Sequence, residues 1–564
     1  TMARTPWAYW SRSGGARGCA RTMRNGRIPA GRTTPTADAD IVRIRLSQLS
    51  LHRPRQWGAC WLACHLWEQL GLDRFWAQRL PPSRKGTRWD WVLQVLLAQM
   101  ALAWVLRRGG ITTALIGASR PEQVVDCAGA IGNLDFIDQE LAEIHKLYEC
   151  HEHLLEHKRE LFTHLTGRWK DLFNAQFEVL LYDLTSTYFE SDPPFPEEDK
   201  RRYGYSRDKR SDCVQVVIAL IVTPEGFPLA YEVLSGNTSD KATLAGFLQK
   251  IQDQYGKAQR VWVMDRGIPT EKVLEQMRAS DPPVQYLVGT PRGRLSQYEQ
   301  KLLELPWQIV REGVSVKLLS EDSELYVLAQ SRDRVHKERA MRRRQLKGLW
   351  QRLKKLQAMK LKRDALLKKL GAALHTYPVA ARLLDPTVLP KEAKLTFTLC
   401  KDKLRQARKR EGRYLLRTNI TSGRTAEELW QFYIQLTEVE AAFKNLKDDL
   451  ALRPIYHQLE HRIEAHIFLS FLAYCLHITL RRRLRDLAPG LTARSVLGKF
   501  ATVQMLDVHL PTTDERTVIL SRYTHPETDV QLLLQQLKLE LPAQPPPKII
   551  RPKLPDNLAA VVKT

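Results

Sequence analysis

Short apolar runs separated by turns and charged stretches occupy residues 177–290, and they constrain the fold more than any other part of the chain. The run FEVLLYDLTSTYFES, residues 177–191, is rich in β-favouring residues and predicts a buried strand. Two further β-rich runs within 213–236 flank Pro224-Glu225-Gly226. Because Pro and Gly favour turns, these two runs predict a hairpin.

Two more strands follow, with helices beside them. The segment Lys241–Ile251 is predicted to be helical, and Val261–Met264 is predicted to be a strand. Thr270 is a suitable first cap for the next helix, because a threonine side chain satisfies one of the free N–H groups there. Val284–Val288 is the strand after that helix. This order of strands and helices is typical of an α/β fold.

Two aspartates stand at unusual places in these strands. Asp183 lies within or at the end of the first strand, although strand interiors disfavour aspartate. Asp265 directly follows Val261–Met264, at the end of a strand where open α/β sheets bind ligands. Taken singly, each aspartate is also explained as an ordinary turn or cap residue. The two together raise the question of a third carboxylate.

A third carboxylate is found in the stretch 429–466, which is predicted to be a helix. Its apolar residues recur every three or four positions, which is the period of one helix face. Glu440 falls on this largely apolar face, where a carboxylate is costly to bury unless it is paired or bound to a metal. Tyr433 and Lys447 lie seven residues to either side, so the three side chains point roughly the same way. Alone, this pattern favours an ordinary amphipathic helix with a solvated glutamate.

Three carboxylates in this order suit a site for two metal ions. Such a site holds two Mg²⁺ about 3.5–4 Å apart, to activate an attacking oxygen and stabilise a leaving one. Mg²⁺ prefers hard oxygen ligands and keeps several waters, so few protein ligands suffice. Asp183, Asp265 and Glu440 are the predicted ligands.

The spacing of Tyr433, Glu440 and Lys447 resembles the third motif of DDE transposases from bacterial insertion sequences, Tyr-x2-Arg-x3-Glu-x6-Lys. Leu436 stands at the arginine position, so that element is missing. The resemblance covers about residues 55–480. It implies a ribonuclease-H-like α/β fold, with a mixed sheet flanked by helices, a helical N-terminal domain and an insertion before the last catalytic helix. It is strongest at 177–242, 258–293 and 429–468.

The resemblance also implies the function and the roles of the site residues. Asp183, Asp265 and Glu440 would bind two Mg²⁺, with Mn²⁺ as a substitute, to cleave DNA at the ends of an insertion sequence and transfer the strand into target DNA. The implied activity is cut-and-paste transposition, carried out by a homodimer on DNA in the bacterial cytoplasm at the nucleoid. Tyr433 and Lys447 would contact DNA phosphates. Arg266 and Arg292 are further candidates for phosphate contact.

The charge of the chain fits a polyanionic partner. Lys and Arg number 87 against 62 Asp and Glu, a formal net charge of +25. Such an excess favours nucleic acid, through release of counterions, and equally suits an anionic membrane surface or a ribosome. No apolar run reaches the roughly 20 residues of a membrane span, and no secretory signal peptide is recognisable. The eight cysteines form no CxxC pair, which favours neither a zinc ribbon nor a disulfide framework.

A basic segment separates Asp265 from Glu440. Residues 334–370 hold 15 Lys or Arg, and Glu338 and Asp364 are the acidic residues among them. Leucines 346, 349, 353 and 356 recur as in a short coiled-coil seam. We predict an insertion that extends over DNA, with a solvated helical hairpin as the alternative. The predicted division is 1–45 disordered basic tail, 46–172 helical N-terminal domain, 173–330 first part of the catalytic core, 331–410 basic helical insertion, 411–480 second part of the core, and 481–564 C-terminal region with a Pro-rich, disordered tail.

Three alternatives stay open. The first is an inactive or domesticated DNA-binding relic, which a start at Thr1 rather than Met favours. The second is a Mg²⁺-dependent nuclease without strand transfer, because hydrolysis and transfer use the same site. The third is a zinc peptidase, based on H-x-x-E-H patterns at 153–157 and 457–461. A pattern with three fixed positions also arises by chance in helices that contain histidine.

Overall fold

The computed structural model describes most of the chain between residues 42 and 550. The described residues are 42–80, 89–90, 93, 153–190, 196–290, 297–298, 301–302, 304–321, 323–389, 394–450, 452, 455 and 459–550.

The strands and helices follow one another in mixed order. The strands are β1 (Ser50–Gln56), β2 (Val179–Phe189), β3 (Val214–Val222), β4 (Pro228–Ser235), β5 (Val261–Met264), β6 (Gln285–Gly289), β7 (Gln308–Arg311), β8 (Val314–Glu321), β9 (Glu324–Ser331), β10 (Leu384–Val388), β11 (Leu395–Leu399), β12 (Arg413–Thr418), β13 (Gln504–Pro511), β14 (Thr517–Tyr523) and β15 (Lys548–Ile550). The helices are α1 (Gly58–Gln69), α2 (Leu72–Arg79), α3 (Lys158–Phe173), α4 (Asp240–Tyr255), α5 (Glu271–Ala279), α6 (Arg332–Ala358), α7 (Arg363–Thr376), α8 (Pro378–Ala381), α9 (Lys401–Lys409), α10 (Ala426–Ile434), α11 (Leu436–Lys444), α12 (Glu460–Leu487), α13 (Ala493–Phe500) and α14 (Thr528–Gln536).

A nine-stranded mixed sheet forms the centre of the molecule, in the order β4-β3-β2-β5-β6-β12-β9-β8-β7. The predicted hairpin is the antiparallel pair β3–β4, and β3 is also antiparallel to β2. Strands β2, β5 and β6 run parallel to one another. Three antiparallel strands followed by two parallel ones are the ribonuclease-H-like arrangement. The predicted fold class is therefore confirmed, and β12, β9, β8 and β7 extend the sheet.

The two faces of this sheet bury different layers. Alternate side chains point to opposite faces of a strand. Leu181 and Val263 join the large core formed with α1, α3, α10 and α12. Tyr182 and Trp262 face the other way, into a smaller core with α4 and α5. Because both faces of the sheet are covered here, β5 and the first four residues of β2, 179–182, are apolar at every position.

The insertion has a small core of its own. Helices α6 and α7 pack as a hairpin, and Leu349, Leu353 and Leu356 of the predicted seam are buried between them. Leu346 is partly buried beside them. The single helical run predicted over 334–370 is divided into two helices. The strand pair β10–β11 closes the unit, so the basic residues surround a packed core.

The two ends of the described chain meet in a second sheet, in the order β1-β13-β14-β15. The prediction of a disordered tail is wrong for its first part, because Lys548–Ile550 pairs with Thr517–Ile519 of β14. At the other end, Ile44 forms a bridge with Thr512, so the predicted disordered tail 1–45 does not extend to residue 45. Residues 1–41 and 551–564 lie outside the described residues.

The predicted single helix over 429–466 is wrong. The segment contains α10, α11 and a π-helical turn, Asn445–Asp449, and α12 begins at Glu460. A three- or four-residue spacing is kept across short breaks, so periodicity alone does not detect them. Pro454 was the available signal, because proline cannot continue a helix.

Helix α12 is long and apolar enough to span a membrane, judged by length and composition alone. In the fold, however, most of its apolar part is buried inside the protein. It packs against α1 and α13 in the large core. Burial in a protein core explains the apolar composition of α12, so a membrane is not needed to explain it.

Candidate active site

The register of the sheet brings two of the predicted carboxylates together. Tyr182 of β2 pairs in parallel with Met264 of β5, and Asp183 and Asp265 are the next residues of their chains. Neighbouring strands lie about 4.8 Å apart, so the two aspartates start from adjacent backbone positions. Beyond this point β5 has ended while β2 continues to Phe189. Asp183 therefore lies beside a notch in the sheet, where a ligand can approach.

The third predicted carboxylate reaches the same notch from α11, which packs over β2 and β3. Val439 and Phe443 of this helix are buried in the large core, whereas Glu440 is exposed. Glu440 therefore follows the apolar period of the helix in sequence, but its side chain is solvent-exposed beside the buried residues. An exposed carboxylate needs no compensating partner in the protein.

The electrostatics of Asp183 connect the three carboxylates. The pKa of Asp183 is raised to about 6, mainly by burial and also by the negative charges of Asp265 and Glu440. The N–H of Leu184 and the guanidinium of Arg207 oppose this rise in the pKa. Asp265 and Glu440 thus both lie close enough to Asp183 to repel its negative charge.

The donor set suits Mg²⁺, which prefers carboxylate oxygens and retains waters in its remaining positions. The raised pKa of Asp183 marks a charge excess that a divalent cation would relieve. Within the described parts of the chain, however, no three His, Cys, Asp or Glu side chains converge on one point closely enough to hold an ion together. The three carboxylates interact electrostatically, but they do not form a complete set of ligands around one point.

Tyr433 extends the site from the last turn of α10. The hydroxyl of Tyr433 donates to Asp265 Oδ1 at 3.4 Å, and burial raises the pKa of this hydroxyl. The ring passes over the end of β6, where a Cβ added to Gly289 would lie 2.9 Å from the Tyr433 hydroxyl. A larger residue at position 289 would therefore displace the Tyr433 hydroxyl. Helix α10 is fixed at its start by a capping box between Thr425 and Glu428.

Lys447, the other predicted phosphate contact, forms an ion pair with Asp208. Lys447 Nζ donates to the Asp208 carboxylate at 3.0 and 3.2 Å, and both side chains are nearly buried. Asp208 belongs to the basic turn 203–210. The neighbouring Arg207 pairs with Asp240 at 2.7 Å, and its N–H donates to Ser186 of β2. These contacts fix the turn beside Asp183.

The structure locates one of the two further arginine candidates. Arg266 is exposed directly after Asp265, and its backbone N–H donates to Asp265 Oδ1 at 2.8 Å. Arg292 lies outside the described residues. Sequence reasoning missed Arg207, Asp208 and Gly289 as parts of the site. The signal for the first two was their place in a charged turn after the strand that carries Asp183.

The first H-x-x-E-H pattern lies in the N-terminal helical region. The ring of His153 lies 5.5 Å from Trp89, and that of His157 lies 6.3 Å from Trp76. Both histidines thus contact tryptophans at the edge of the core. In the second pattern, His457 lies outside the described residues.

A ribonuclease-H-like sheet with carboxylates at the adjacent ends of its parallel strands defines a class of nucleic-acid-processing folds. A family model described as "Transposase DDE domain" matches residues 175–476, a little over half of the chain. The chain belongs to this transposase family. The resemblance seen in the sequence is thereby confirmed at the level of the family, whose members generally use divalent metal ions.

Two other similarities were found. The piggyBac transposase in a synaptic complex with hairpin DNA aligns with 80% of this chain and 82% of that chain, at a TM-score of 0.34 and 9% sequence identity. Among curated proteins, L-glyceraldehyde 3-phosphate reductase from Escherichia coli (strain K12) is 50% identical over 48 residues, and that of Escherichia coli O157:H7 is 48% identical over 48 residues. The chain spans 14% of the length of these reductases. No reductase activity is carried over from so short a match.

Proposed function

We propose that this protein is the transposase of a bacterial insertion sequence, which cleaves DNA at the ends of the element and transfers the strand into target DNA. Membership of the transposase family supports this proposal. The observation that carries it is that Asp265 and Glu440 both lie near enough to Asp183 for their charges to raise its pKa. The net charge of +25 suits a DNA partner.

Asp183, Asp265 and Glu440 would hold two Mg²⁺, with Mn²⁺ as a substitute. When bound, Mg²⁺ supplies activation of the attacking oxygen and stabilisation of the leaving oxygen in an in-line displacement. The same site serves both chemical steps, because water attacks in cleavage and a 3′-hydroxyl attacks in strand transfer. The protein would act as a homodimer on terminal repeats and target DNA, in the cytoplasm at the nucleoid.

The surrounding residues would orient the DNA. Tyr433 would place its hydroxyl at a phosphate beside Asp265, which it already contacts. Arg266 is exposed next to that carboxylate and would contact the same strand. Arg292 remains a candidate for the same role. Lys447 could contact a phosphate only if its ammonium group bonded to Asp208 and the phosphate together, or left Asp208.

The first test uses a labelled duplex that carries the DNA flanking this gene, incubated with the protein and Mg²⁺. We expect specific 3′-end cleavage followed by joining into a plasmid, with both products absent for Asp183→Ala. Cleavage without joining would instead indicate a nuclease. DNA binding without either product would indicate a relic of a transposase, and the proposed activity would be wrong.

Glu440→Gln separates catalysis from binding. The substitution keeps the size of the side chain and removes the charge, so we expect loss of strand cleavage with DNA affinity retained within about twofold, since Glu440 is exposed and supports no packing. Glu438→Gln on the same helix is the matched control, because Glu438 pairs with Arg481 away from the notch. Cleavage by Glu440→Gln at the wild-type rate would refute the assignment.

A further inference from the structure

The third motif lacks its arginine, and the structure shows where residue 436 lies. Leu436 is the first residue of α11 and packs against the large core. An arginine at this position would place its side chain against apolar groups. A guanidinium beside Tyr433 therefore has to come from another element.

Arg334 supplies a guanidinium at that place from the first turn of α6. Its Cζ lies 4.8 Å from the centre of the Tyr414 ring, and that ring stacks on Tyr433 with centroids 5.9 Å apart. Tyr433 in turn donates to Asp265. A chain of contacts thus runs from Arg334 through two tyrosine rings to a carboxylate of the site. Arg334 itself is exposed, so its charge is available to a ligand.

The base of α6 is held firmly against the sheet. Ser331 caps the helix by accepting from the Arg334 N–H. Gly412 adopts a positive φ of 69° at the entry to β12, and a Cβ there would lie 2.3 Å from Val335. Arg342 pairs with the buried Glu411 about two turns further along the helix. These contacts place Arg334 by backbone packing as well as by its own side chain.

A second guanidinium lies near the same aromatic pair. Arg311, the last residue of β7, is exposed and places its Cζ 5.3 Å from the centre of the Trp430 ring. Trp430 Nε1 donates to the Tyr414 hydroxyl at 2.7 Å. In the described part of the chain, Arg311 forms no ion pair with a carboxylate. Arg334 pairs with the half-buried Glu338 at 3.3 Å.

We propose that Arg334 and Arg311 form a phosphate-binding pair for the DNA strand that enters the carboxylate site, with Arg334 replacing the arginine missing at residue 436. The inference rests on the proposed function in taking DNA as the ligand. A guanidinium binds phosphate through two parallel N–H groups, and stacking on an aromatic ring fixes its plane in advance. The insertion would thus contribute directly to the active site.

The test measures the affinity for DNA as a function of salt, without divalent metal. The probe is the duplex of gene-flanking DNA, with a fluorescent label, in buffer with EDTA. Each lost phosphate contact lowers the slope of log K against log salt by about 0.9. We expect this change for Arg334→Gln and for Arg311→Gln, and about twice this change for the double variant. Arg485→Gln, an exposed charge in the last turn of α12, should leave the slope unchanged.

Arg334→Lys distinguishes charge from stacking. A lysine keeps a point charge for the phosphate but loses the plane that stacks on Tyr414. We expect a slope close to that of the wild type with a lower affinity. An unchanged slope for Arg334→Gln and for the double variant, in proteins whose thermal unfolding matches the wild type, would overturn the proposal. Absence of any DNA binding by the wild type would do the same.

The outcome for this pair is separable from that for the proposed function. If the wild type fails to cleave with Mg²⁺ but the slopes change as expected, the proposed function fails and the phosphate pair stands. If the wild type cleaves and joins while Arg334→Gln keeps the wild-type slope, the function stands and the phosphate pair fails.

Discussion

The same sheet carries two clusters of charged side chains that are arranged in opposite ways. Near the ends of β2 and β5, Asp265 and Glu440 repel the charge of Asp183, and together with burial they raise the pKa of Asp183 to about 6. Farther along the sheet, Arg417 of β12 contacts Glu324 at 2.6 Å and Glu271 at 2.7 Å.

The second cluster is compensated within the protein. Arg278 also contacts Glu324, at 2.8 Å, and the side chains of Arg417 and Glu324 are both 8% exposed. A buried charge with partners on several elements holds those elements together. A half-buried carboxylate that faces like charges weakens the fold until a ligand joins it. The difference between the clusters therefore indicates which charges serve the structure and which serve a ligand.

The largest effect is expected from breaking the paired cluster. Arg417→Met leaves Glu324 buried with one partner fewer, and should lower the free energy of unfolding by about 3 kcal/mol. Urea unfolding followed by tryptophan fluorescence measures it. Arg408→Met, an exposed arginine in α9, should change the free energy little. If the double variant Arg417→Met/Glu324→Leu does not recover part of the loss, an unpaired buried charge is not the cause.

The carboxylate cluster should respond in the opposite direction. With EDTA present, Asp183→Asn should raise the free energy of unfolding at pH 7.5 by on the order of 2 kcal/mol, because the variant removes a carboxylate whose ionised form is disfavoured in the folded state.

The sign follows from the pKa of Asp183, which is about 6 folded against an ordinary value of 3.8. Below pH about 4, Asp183 is protonated in both the folded and the unfolded state, and it does not lower the free energy of unfolding. As the pH rises through about 6, its ionisation in the folded state is disfavoured and the free energy of unfolding of the wild type falls. The gain of Asp183→Asn should therefore vanish near pH 4, in urea titrations at several pH values. A gain that persists at pH 4 would contradict the assignment to ionisation. Asp385→Asn, an exposed carboxylate in β10, is the control.

The smallest effect is expected at the ion pair between Lys447 and Asp208, which is nearly buried and lies near the carboxylate site. Lys447→Met should lower the free energy of unfolding by about 1 to 2 kcal/mol, because the nearly buried Asp208 loses a charged hydrogen bond. Hydrogen exchange of the amides in 206–210 should accelerate as the turn loosens. Lys444→Met on the same stretch is exposed and should change neither quantity. If Lys447→Met changes neither the free energy of unfolding nor the amide exchange rate, the ion pair does not stabilise the turn, and only DNA contact is left as a role for Lys447.

The central strands were predictable because their composition is unambiguous. Val261–Met264 was predicted and is β5 with the same limits, since a four-residue apolar run ends at the charged Asp265. The hairpin β3–β4 was equally clear from its turn. The Glu440 region was predicted less well, because a helical period persists across the break before Leu436 and gives no sign of the π-helical turn after Lys444.

The candidate site shows the same division. Asp183, Asp265 and Glu440 were found from strand ends, spacing and the family resemblance, and their mutual repulsion is consistent with that choice. Arg334 was seen in the sequence only as one charge in a basic helical run. Nothing near it in the chain connects it with Tyr433. The Lys447–Asp208 pair joins two segments far apart in sequence, and was likewise not predictable.

The sequence by itself determined the class of fold, the strands that end in aspartate and the family, because these depend on the order of local segments and on motifs within them. The tertiary structure alone decided which charges are paired and which are left facing one another. The pairing of these charges depends on the register of β2 against β5, on the packing of α11 over β2 and on the position of α6 beside Tyr414. Electrostatic energy depends on distances in space and on burial, and neither is written in the spacing of residues along the chain.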